Sequence, residues 1–251
     1  MTETGPHLPA RQLVRTLRRA TLATQLAGGD APGGSSVPYA SLVTVTTDLE
    51  GAPLLLLSRL ADHTRNLDAD PRLSLLFDGT EGFANPQQGP RVTLQGRAER
   101  SDDPALKARF LARHPAAKLY ADFTDFGMFR VEVERIHWVG GFGRAVWLEK
   151  YACPAEAASA IGAVEAAVLE RLNATAGLVE IWAAAALPPQ NILPREGAAE
   201  GGGWRAVALD PDGIDLELDE SLLRLNFDHV CSNSKDLDIA LKHLTEKLRP
   251  V

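Results

Sequence analysis

The sequence predicts an α+β fold with two parts, a small β-barrel followed by a compact α+β module. Short strand-like segments separated by turns give about six strands before Leu148, which is typical of a small barrel. The helices between them are too few and too short for a doubly wound parallel sheet. After Glu149 the composition becomes Ala-rich and helical before three more strands follow. We therefore predict two domains, residues 1–149 and residues 150–251.

Composition narrows the class of protein. The chain has 251 residues, is 45% hydrophobic and carries a net charge of −7, which argues against nucleic acid or an anionic membrane as a general partner. Cys153 and Cys231 are too few and too far apart for a metal or disulfide framework. Neither an apolar leader region nor a run of membrane-spanning length is visible, so we expect a cytoplasmic protein.

The N-terminal region predicts an amphipathic helix over residues 10–25 that runs into a strand near residues 22–26. Its four arginines are expected on a solvated face, with the acidic surface of a partner as the alternative: Arg11, Arg15, Arg18 and Arg19. Residues 1–9 are expected to form a loose tail. Residues 28–36 are rich in Gly, Pro and Ser and predict a flexible loop, without the Lys and Ser/Thr of a phosphate-binding loop.

The barrel strands are predicted from two patterns. Alternating apolar residues predict the strands 41–47, 91–101 and 128–139, the last with a bulge near Glu134. The continuous apolar run 54–57 predicts a strand buried on both faces, and 73–77 a further apolar strand. Helices are predicted over 61–70, 105–113 and 116–123.

The second module predicts helices over 154–176 and 178–187 and then a loop over 190–203. Three antiparallel strands are expected over 204–209, 213–218 and 222–227, and a closing helix over 234–248 started by Ser232 or Ser234.

Residues 53–77 carry the chemistry that is most informative. The turn after the first leucine strand presents Ser58, His63 and Thr64 together with the backbone N–H groups of a helix start. Free N–H groups at a helix start favour an anion, so a phosphate is the expected ligand.

Five segments, taken together in order and spacing, resemble the pyridoxamine 5'-phosphate oxidase-like FMN-binding split barrels. They are residues 38–42, 57–67, 70–72 with Ser74, 89–96 and 140–147. The branch that resembles this chain most includes the haem-utilisation proteins and carries an extra C-terminal domain. The resemblance implies a split barrel and a homodimer with its cofactor at the subunit interface.

The same resemblance implies which residues hold the cofactor: Ser41, Ser58, Leu60, His63, Thr64, Asn66, Arg91, Thr93, Phe142, Arg144 and Trp147. His63, Ser41 and Arg91 fall where the oxidases place a phosphate-binding Lys, a strand Arg and a flavin-contacting Gln. The Arg–Lys pair of the oxidase phosphate site is therefore missing. The alternatives are structural: helix-surface or capping roles for the polar side chains, a solvated Arg91, and core or interface positions for the two aromatics.

The C-terminal module resembles the DUF2470-like domain of haem-utilisation proteins and of a plastid regulator of tetrapyrrole synthesis. That domain has Asn-x-Asp-His in its first helix, whereas this chain has residues 173–176, Asn-Ala-Thr-Ala. His229 and His243 remain as candidate haem ligands. The histidines show no metal-binding spacing, and neither a GxSxG elbow nor a dinucleotide fingerprint occurs.

Three hypotheses follow. The first is an FMN-dependent oxidoreductase acting on a small or tetrapyrrole-like substrate, in which the flavin performs the redox chemistry. The second is a haem-binding or haem-degrading protein. The third is a non-catalytic regulatory dimer that retains the barrel.

Overall fold

The computed structural model describes residues 5–26, 37–149, 152–187 and 203–248. The chain divides into two compact units, one reaching to Ala152 and the other beginning at Cys153. We call them the barrel unit and the C-terminal unit. The two predicted loops at 28–36 and 190–203 fall outside the described residues, except for Gly203.

The barrel unit contains an antiparallel sheet in the spatial order β2-β1-β5-β6-β7-β4-β3, with β8 paired to β7. Its strands are β1 Arg19–Gln25, β2 Pro38–Thr44, β3 Thr46–Thr47, β4 Pro53–Ser58, β5 Arg72–Asp78, β6 Arg91–Ser101, β7 Phe126–Val139 and β8 Ala145–Leu148. The predicted α+β split barrel is confirmed.

The helices of the barrel unit are α1 His7–Thr16, α2 Asp62–Ala69 and α3 Pro104–Arg113, with short 3-10 turns at Pro86–Gln88 and Pro115–Leu119. Helix α3 begins as predicted, because the Asp103 carboxylate accepts a hydrogen bond from the N–H of Ala105 and Pro104 occupies the first turn. The predicted helix over 116–123 is only the second 3-10 turn.

Strand β4 is buried on both faces because it lies between two apolar clusters. Leu55 and Leu57 join the main barrel core, whereas Leu54 and Leu56 pack with Phe110 of α3. Two apolar surfaces require apolar residues at consecutive positions, which explains the leucine run.

The predicted bulge in β7 is confirmed. Gln95 pairs with Arg135 and Gly96 pairs with Val133, so Glu134 is the extra residue. A Cβ atom at Gly96 would lie 2.0 Å from the carbonyl oxygen of Glu132. Glycine is therefore required where the two strands approach each other at the bulge.

The prediction of a solvated arginine face on the first helix is wrong for Arg11 and Arg15, whereas Arg19 is exposed and lies in β1. Helix α1 ends at Thr16, and both Arg11 and Arg15 have no exposed surface. Arg15 donates to the carbonyl oxygens of Asp48 at 2.9 Å and Leu49 at 2.8 Å, and to Thr47 Oγ1 at 3.1 Å. The turn before β4 thus supplies acceptors that compensate the desolvation of a buried guanidinium.

The C-terminal unit packs helices against a three-stranded antiparallel sheet in the order β11-β10-β9. Its elements are α4 Ala155–Gly162, α5 Glu165–Ala174, α6 Leu178–Ala186, β9 Arg205–Asp210, β10 Gly213–Leu218, β11 Ser221–Asn226 and α7 Ser234–Lys247. The single helix predicted over 154–176 is two helices. Asn233, rather than a serine, caps α7 by accepting the N–H groups of Lys235 and Asp236.

A buried ion cluster lies inside the C-terminal unit. Arg224 donates to Asp210 at 2.8 Å and to Asp215 at 3.2 Å, and all three side chains are essentially without exposed surface. Burial alone would lower the pKa of Arg224, but Asp210 and Asp215 outweigh it and raise that pKa.

No helix in the described part of either unit combines the length and apolar character that a membrane crossing requires.

Candidate functional site

In the barrel unit the edge strand β2 lies against the start of α2, and we call this place, with Ser41 and His63 in contact, the crevice. Ser41 is directly opposite Leu22 of β1, so its side chain points to the same side of the sheet as that fully buried leucine. There Ser41 Oγ lies 3.1 Å from His63 Nδ1. The sequence placed these two residues in one site, and the structure brings them into contact.

Local sequence explains why α2 starts and stops at the crevice. Ala61 is extended, its N–H bonds the carbonyl oxygen of Ser58, and its own carbonyl accepts the N–H groups of Thr64 and Arg65. Asp70 leaves the helical conformation and Pro71 follows, which ends the helix as predicted. His63 therefore lies in the first turn of a short, well-defined helix.

The ring of His63 is half-buried. Burial lowers the pKa of His63 below its ordinary value, and the carboxylate of Asp62 opposes this only in part. A neutral imidazole with one nitrogen unprotonated is a good ligand for a transition metal.

The other polar groups of the turn are engaged with the segment that precedes β7. Ser58 Oγ donates to Asp125 Oδ2 at 2.5 Å and accepts the N–H of Leu60 at 3.1 Å. Arg59 donates its N–H to the carbonyl of Asp125 at 2.7 Å and its guanidinium to the carbonyl of Thr124 at 2.8 Å. Leu60, which lies between Arg59 and His63 in the sequence, is 75% exposed.

Thr64 and Asn66 do not line the crevice surface. Both are buried, and the amide of Asn66 donates to Thr24 Oγ1 of β1 at 2.9 Å. Asn66 thus attaches α2 to β1. The capping role considered as the alternative is wrong for both residues, because α2 begins after Ala61 without a side-chain cap.

The remaining predicted cofactor residues lie on the outer face of the sheet. Strand register places six residues in one row across six strands, and we call this set the outer row: Leu42, Thr21, Leu76, Thr93, His137 and Trp147. The side chains of Leu42 and Trp147 are 72% and 51% exposed. A groove of about 300 Å³ lies beside the row along β5 and β6.

Trp147 is held between two neighbours on this face. The Arg135 guanidinium lies 4.3 Å from the indole centroid and the His137 ring 4.8 Å away. Phe142 and Arg144 are exposed in the β7–β8 hairpin, with Phe142 at 84%. Arg91 bonds Gln87 and the carbonyl of Gly89. On one chain the predicted set therefore forms two groups, one at the crevice and one on the outer face.

Sequence reasoning missed Asp125, Leu42 and Leu76. Asp125 has no local signal, because it meets Ser58 from a position 67 residues later in the chain. The alternation around Leu42 does carry a signal, since Val43 points into the core and its neighbour must point outward.

The two histidines considered as haem ligands line one cavity of the C-terminal unit. This cavity, of about 160 Å³, lies between β11 and α7 and includes His229, His243 and Lys247. His243 Nδ1 lies 3.1 Å from Asp228 Oδ2. Within the described residues, no group of three or more His, Cys, Asp or Glu side chains is arranged to hold a metal ion.

The antiparallel sheet with β2 and β3 at its ends defines an α+β split-barrel protein with the fold of the pyridoxamine 5'-phosphate oxidase-like proteins. The model of the family described as CREG, beta-barrel matches residues 6–153. The chain belongs to this family, and its C-terminal unit lies almost entirely outside the match.

Known proteins similar to the chain include two solved structures. One is the protein Atu2129 of unknown function from Agrobacterium tumefaciens, with 28% identity, a TM-score of 0.71, and coverage of 94% of this chain and 93% of that one. The other is a heme binding protein from Mycobacterium smegmatis, with 28% identity, a TM-score of 0.55 and coverage of 99% of both chains.

A curated relative is the chloroplastic heme oxygenase HOZ of Arabidopsis thaliana. It is 36% identical over 113 residues, which make up 43% of this chain and 33% of the Arabidopsis protein. The chain thus matches about a third of the length of that relative.

Proposed function

We propose that the protein binds haem at the crevice between β2 and α2 of the barrel unit. One observation carries this proposal. Both arginines of the turn bind other residues of the chain, so the imidazole of His63 is the group that the turn can offer to a ligand. Arg59 donates to the carbonyl of Thr124, and Arg65 is paired with Asp62. The names of the Mycobacterium and Arabidopsis relatives point to the same ligand.

The residues at the crevice fit a haem better than a flavin phosphate. A phosphate requires cationic and hydroxyl donors, but the hydroxyl of Ser58 already donates its hydrogen bond to Asp125. The carboxylates of Asp62 and Asp125 also place negative charge near the turn, which disfavours an anion. Haem requires a nitrogen ligand for iron and apolar surface for its macrocycle. His63 offers the first, and the exposed Leu60 offers apolar surface beside it.

When bound, haem supplies iron that can take up an axial ligand and oxygen. His63 would bind that group and Leu60 would offer apolar surface to it. The same proposal includes haem degradation by the protein as an enzyme. Identification of the products formed after reduction of the haem complex tests this part.

The alternative is an FMN-dependent oxidoreductase, which one feature favours. The N–H groups of Asp62 and His63 open α2, where helical geometry gives them no intrahelical acceptor. The Asp62 carboxylate in the same turn competes for these donors, which weakens the site for a phosphate.

The first prediction compares the two ligands on the full-length protein. Ferric haem and FMN are titrated separately while absorption and melting temperature are recorded. We expect a saturable shift of the Soret band and a melting temperature that rises with haem concentration, because a ligand bound only by the folded state stabilises it. A flavin complex with a concentration-dependent rise in melting temperature, and an unshifted Soret band, would establish the alternative.

We also propose that two copies of the chain associate through the outer row. Its support is the line of exposed apolar side chains at Leu42, Leu76 and Trp147, since such patches on a sheet face mark interaction sites. A two-fold axis would bring the outer row of one copy against the outer row of its partner, because such an interface uses the same patch twice.

The second prediction tests this association. Light scattering of the wild type should give twice the 27.0 kDa mass of one chain. Leu42→Lys should give a single chain, because it places a charge in a desolvated contact. Leu119→Lys is the matched control: Leu119 is 80% exposed and lies outside the outer row, so it should leave the mass unchanged. A wild type of single-chain mass contradicts the association.

A further inference from the structure

We propose that His63 ligates haem iron through Nε2 and that Ser41 is the positioning residue that orients its ring. This inference deepens the proposed haem function and rests on it. The juxtaposition that carries it is the 3.1 Å contact between Ser41 Oγ and His63 Nδ1.

The contact determines which ring nitrogen faces a ligand. His63 makes no hydrogen bond through Nε2 with any residue that the structure describes. An imidazole that ligates through Nε2 carries its proton on Nδ1, and the hydroxyl oxygen of Ser41 can accept that N–H. Metal-ligating histidines generally donate their second N–H to an acceptor, which fixes the tautomer and the ring orientation.

Both partners are held on ordered elements, so the contact is preorganised. Ser41 lies on β2, which pairs with β1 along its whole length. His63 lies on α2, which is attached to β1 by the buried bond between Asn66 and Thr24. A ligand whose rotamer is fixed by neighbouring elements loses little freedom on binding.

Other histidines are less suited to the role. His114 is buried, and its Nε2 lies 2.9 Å from the carbonyl oxygen of Val45. His137 packs against the indole of Trp147. His243 lies 3.1 Å from Asp228 Oδ2 through Nδ1, and it lines a cavity of the C-terminal unit together with His229.

The third prediction uses the full-length protein with ferric haem, and after reduction with ferrous haem. His63→Ala should move the Soret band and abolish the iron–histidine stretching band in the Raman spectrum, and added imidazole should restore a nitrogen-ligated spectrum. His229→Ala and His243→Ala are the matched controls and should keep the wild-type spectrum. Circular dichroism verifies that each variant is folded.

Ser41 is tested by two substitutions with different consequences. Ser41→Ala removes the acceptor and should weaken haem binding about 10- to 100-fold, the range found when an outer-shell partner of a ligating histidine is removed. Ser41→Thr keeps the hydroxyl on a β-branched side chain that suits a strand, and should bind haem close to wild type. Ser74→Ala, on the outer face of β5, is the control for a serine lost elsewhere in the sheet.

The outcomes separate this inference from the proposed function. If the wild type binds haem but His63→Ala keeps its spectrum, or if His229→Ala or His243→Ala loses it instead, the ligand is elsewhere and only the inference fails. If Ser41→Ala and Ser41→Thr bind equally well, the positioning role is wrong. A wild-type protein that takes up no haem refutes the proposed function itself.

Discussion

The barrel unit and the C-terminal unit bury arginine in different ways. In the barrel unit, Arg15 donates to the carbonyl oxygens of Asp48 and Leu49. In the C-terminal unit, Arg224 is paired with the carboxylates of Asp210 and Asp215. Backbone dipoles thus contribute to holding Arg15, whereas Arg224 and its two carboxylates compensate one another's buried charge. Removing one guanidinium should therefore have unequal effects in the two units.

The largest expected effect is that of Arg224→Met. Loss of the guanidinium leaves two carboxylates buried without their partner, which should lower the free energy of unfolding by about 3–5 kcal/mol. Denaturant unfolding gives the loss, and hydrogen exchange of peptides from residues 205–248 shows that it arises in the C-terminal unit. Adding Asp210→Asn and Asp215→Asn should recover part of the stability, because the buried charges are then gone.

Arg15→Met is the matched control. It removes a donor from the backbone carbonyls of Asp48 and Leu49, so we expect a loss of about 1–3 kcal/mol, smaller than that of Arg224→Met. Equal losses for Arg15→Met and Arg224→Met would show that the kind of acceptor does not decide the cost.

A smaller effect is expected on the stability of the barrel unit, and it depends on pH. Burial lowers the pKa of His114 from its ordinary value near 6.5 to about 4, against the opposing hydrogen bond to Val45. The unfolded chain therefore binds more protons between these values. Stability of the barrel unit should fall as the pH drops through this window, by at most about 3 kcal/mol at 1.36 kcal/mol per pKa unit.

His114→Gln sharpens the comparison, since it removes the titrating group. Unfolding measured from pH 7 to pH 4 should show a shallower loss in this variant, with the change confined to exchange in barrel-unit peptides. An unchanged pH slope would mean that other groups produce the acid sensitivity.

Much of the fold was predictable because strand alternation, turn residues and caps act locally. The strand over residues 91–101, the buried leucine strand and the Asp103 cap all appear as expected. The burial of Arg11 and Arg15 was not, because the acceptors of Arg15 are backbone carbonyls more than 30 residues away. A sequence shows which side chains are charged. It does not show which backbone carbonyls will accept their hydrogen bonds, because every residue carries a carbonyl.

The candidate site was predictable in part for the same reason. Ser58 and His63 were predicted to share a turn, with Ser41 on a strand of the same site, and Ser41 Oγ does lie 3.1 Å from His63 Nδ1. The engagement of Ser58 with Asp125 could not be predicted, because it depends on β4 pairing with β7. Whether Arg91, Thr93, Phe142, Arg144 and Trp147 contact a cofactor stays a prediction.

The Ser58–Asp125 contact also sets when the crevice is completed during biosynthesis. Helix α2 follows β4 at once, but the segment that fixes the turn is translated more than 60 residues later. Closing so long a loop is slower than forming a helical turn. In a nascent chain the turn after β4 therefore gains this contact only once the ribosome has passed Asp125, late in the synthesis of the barrel unit.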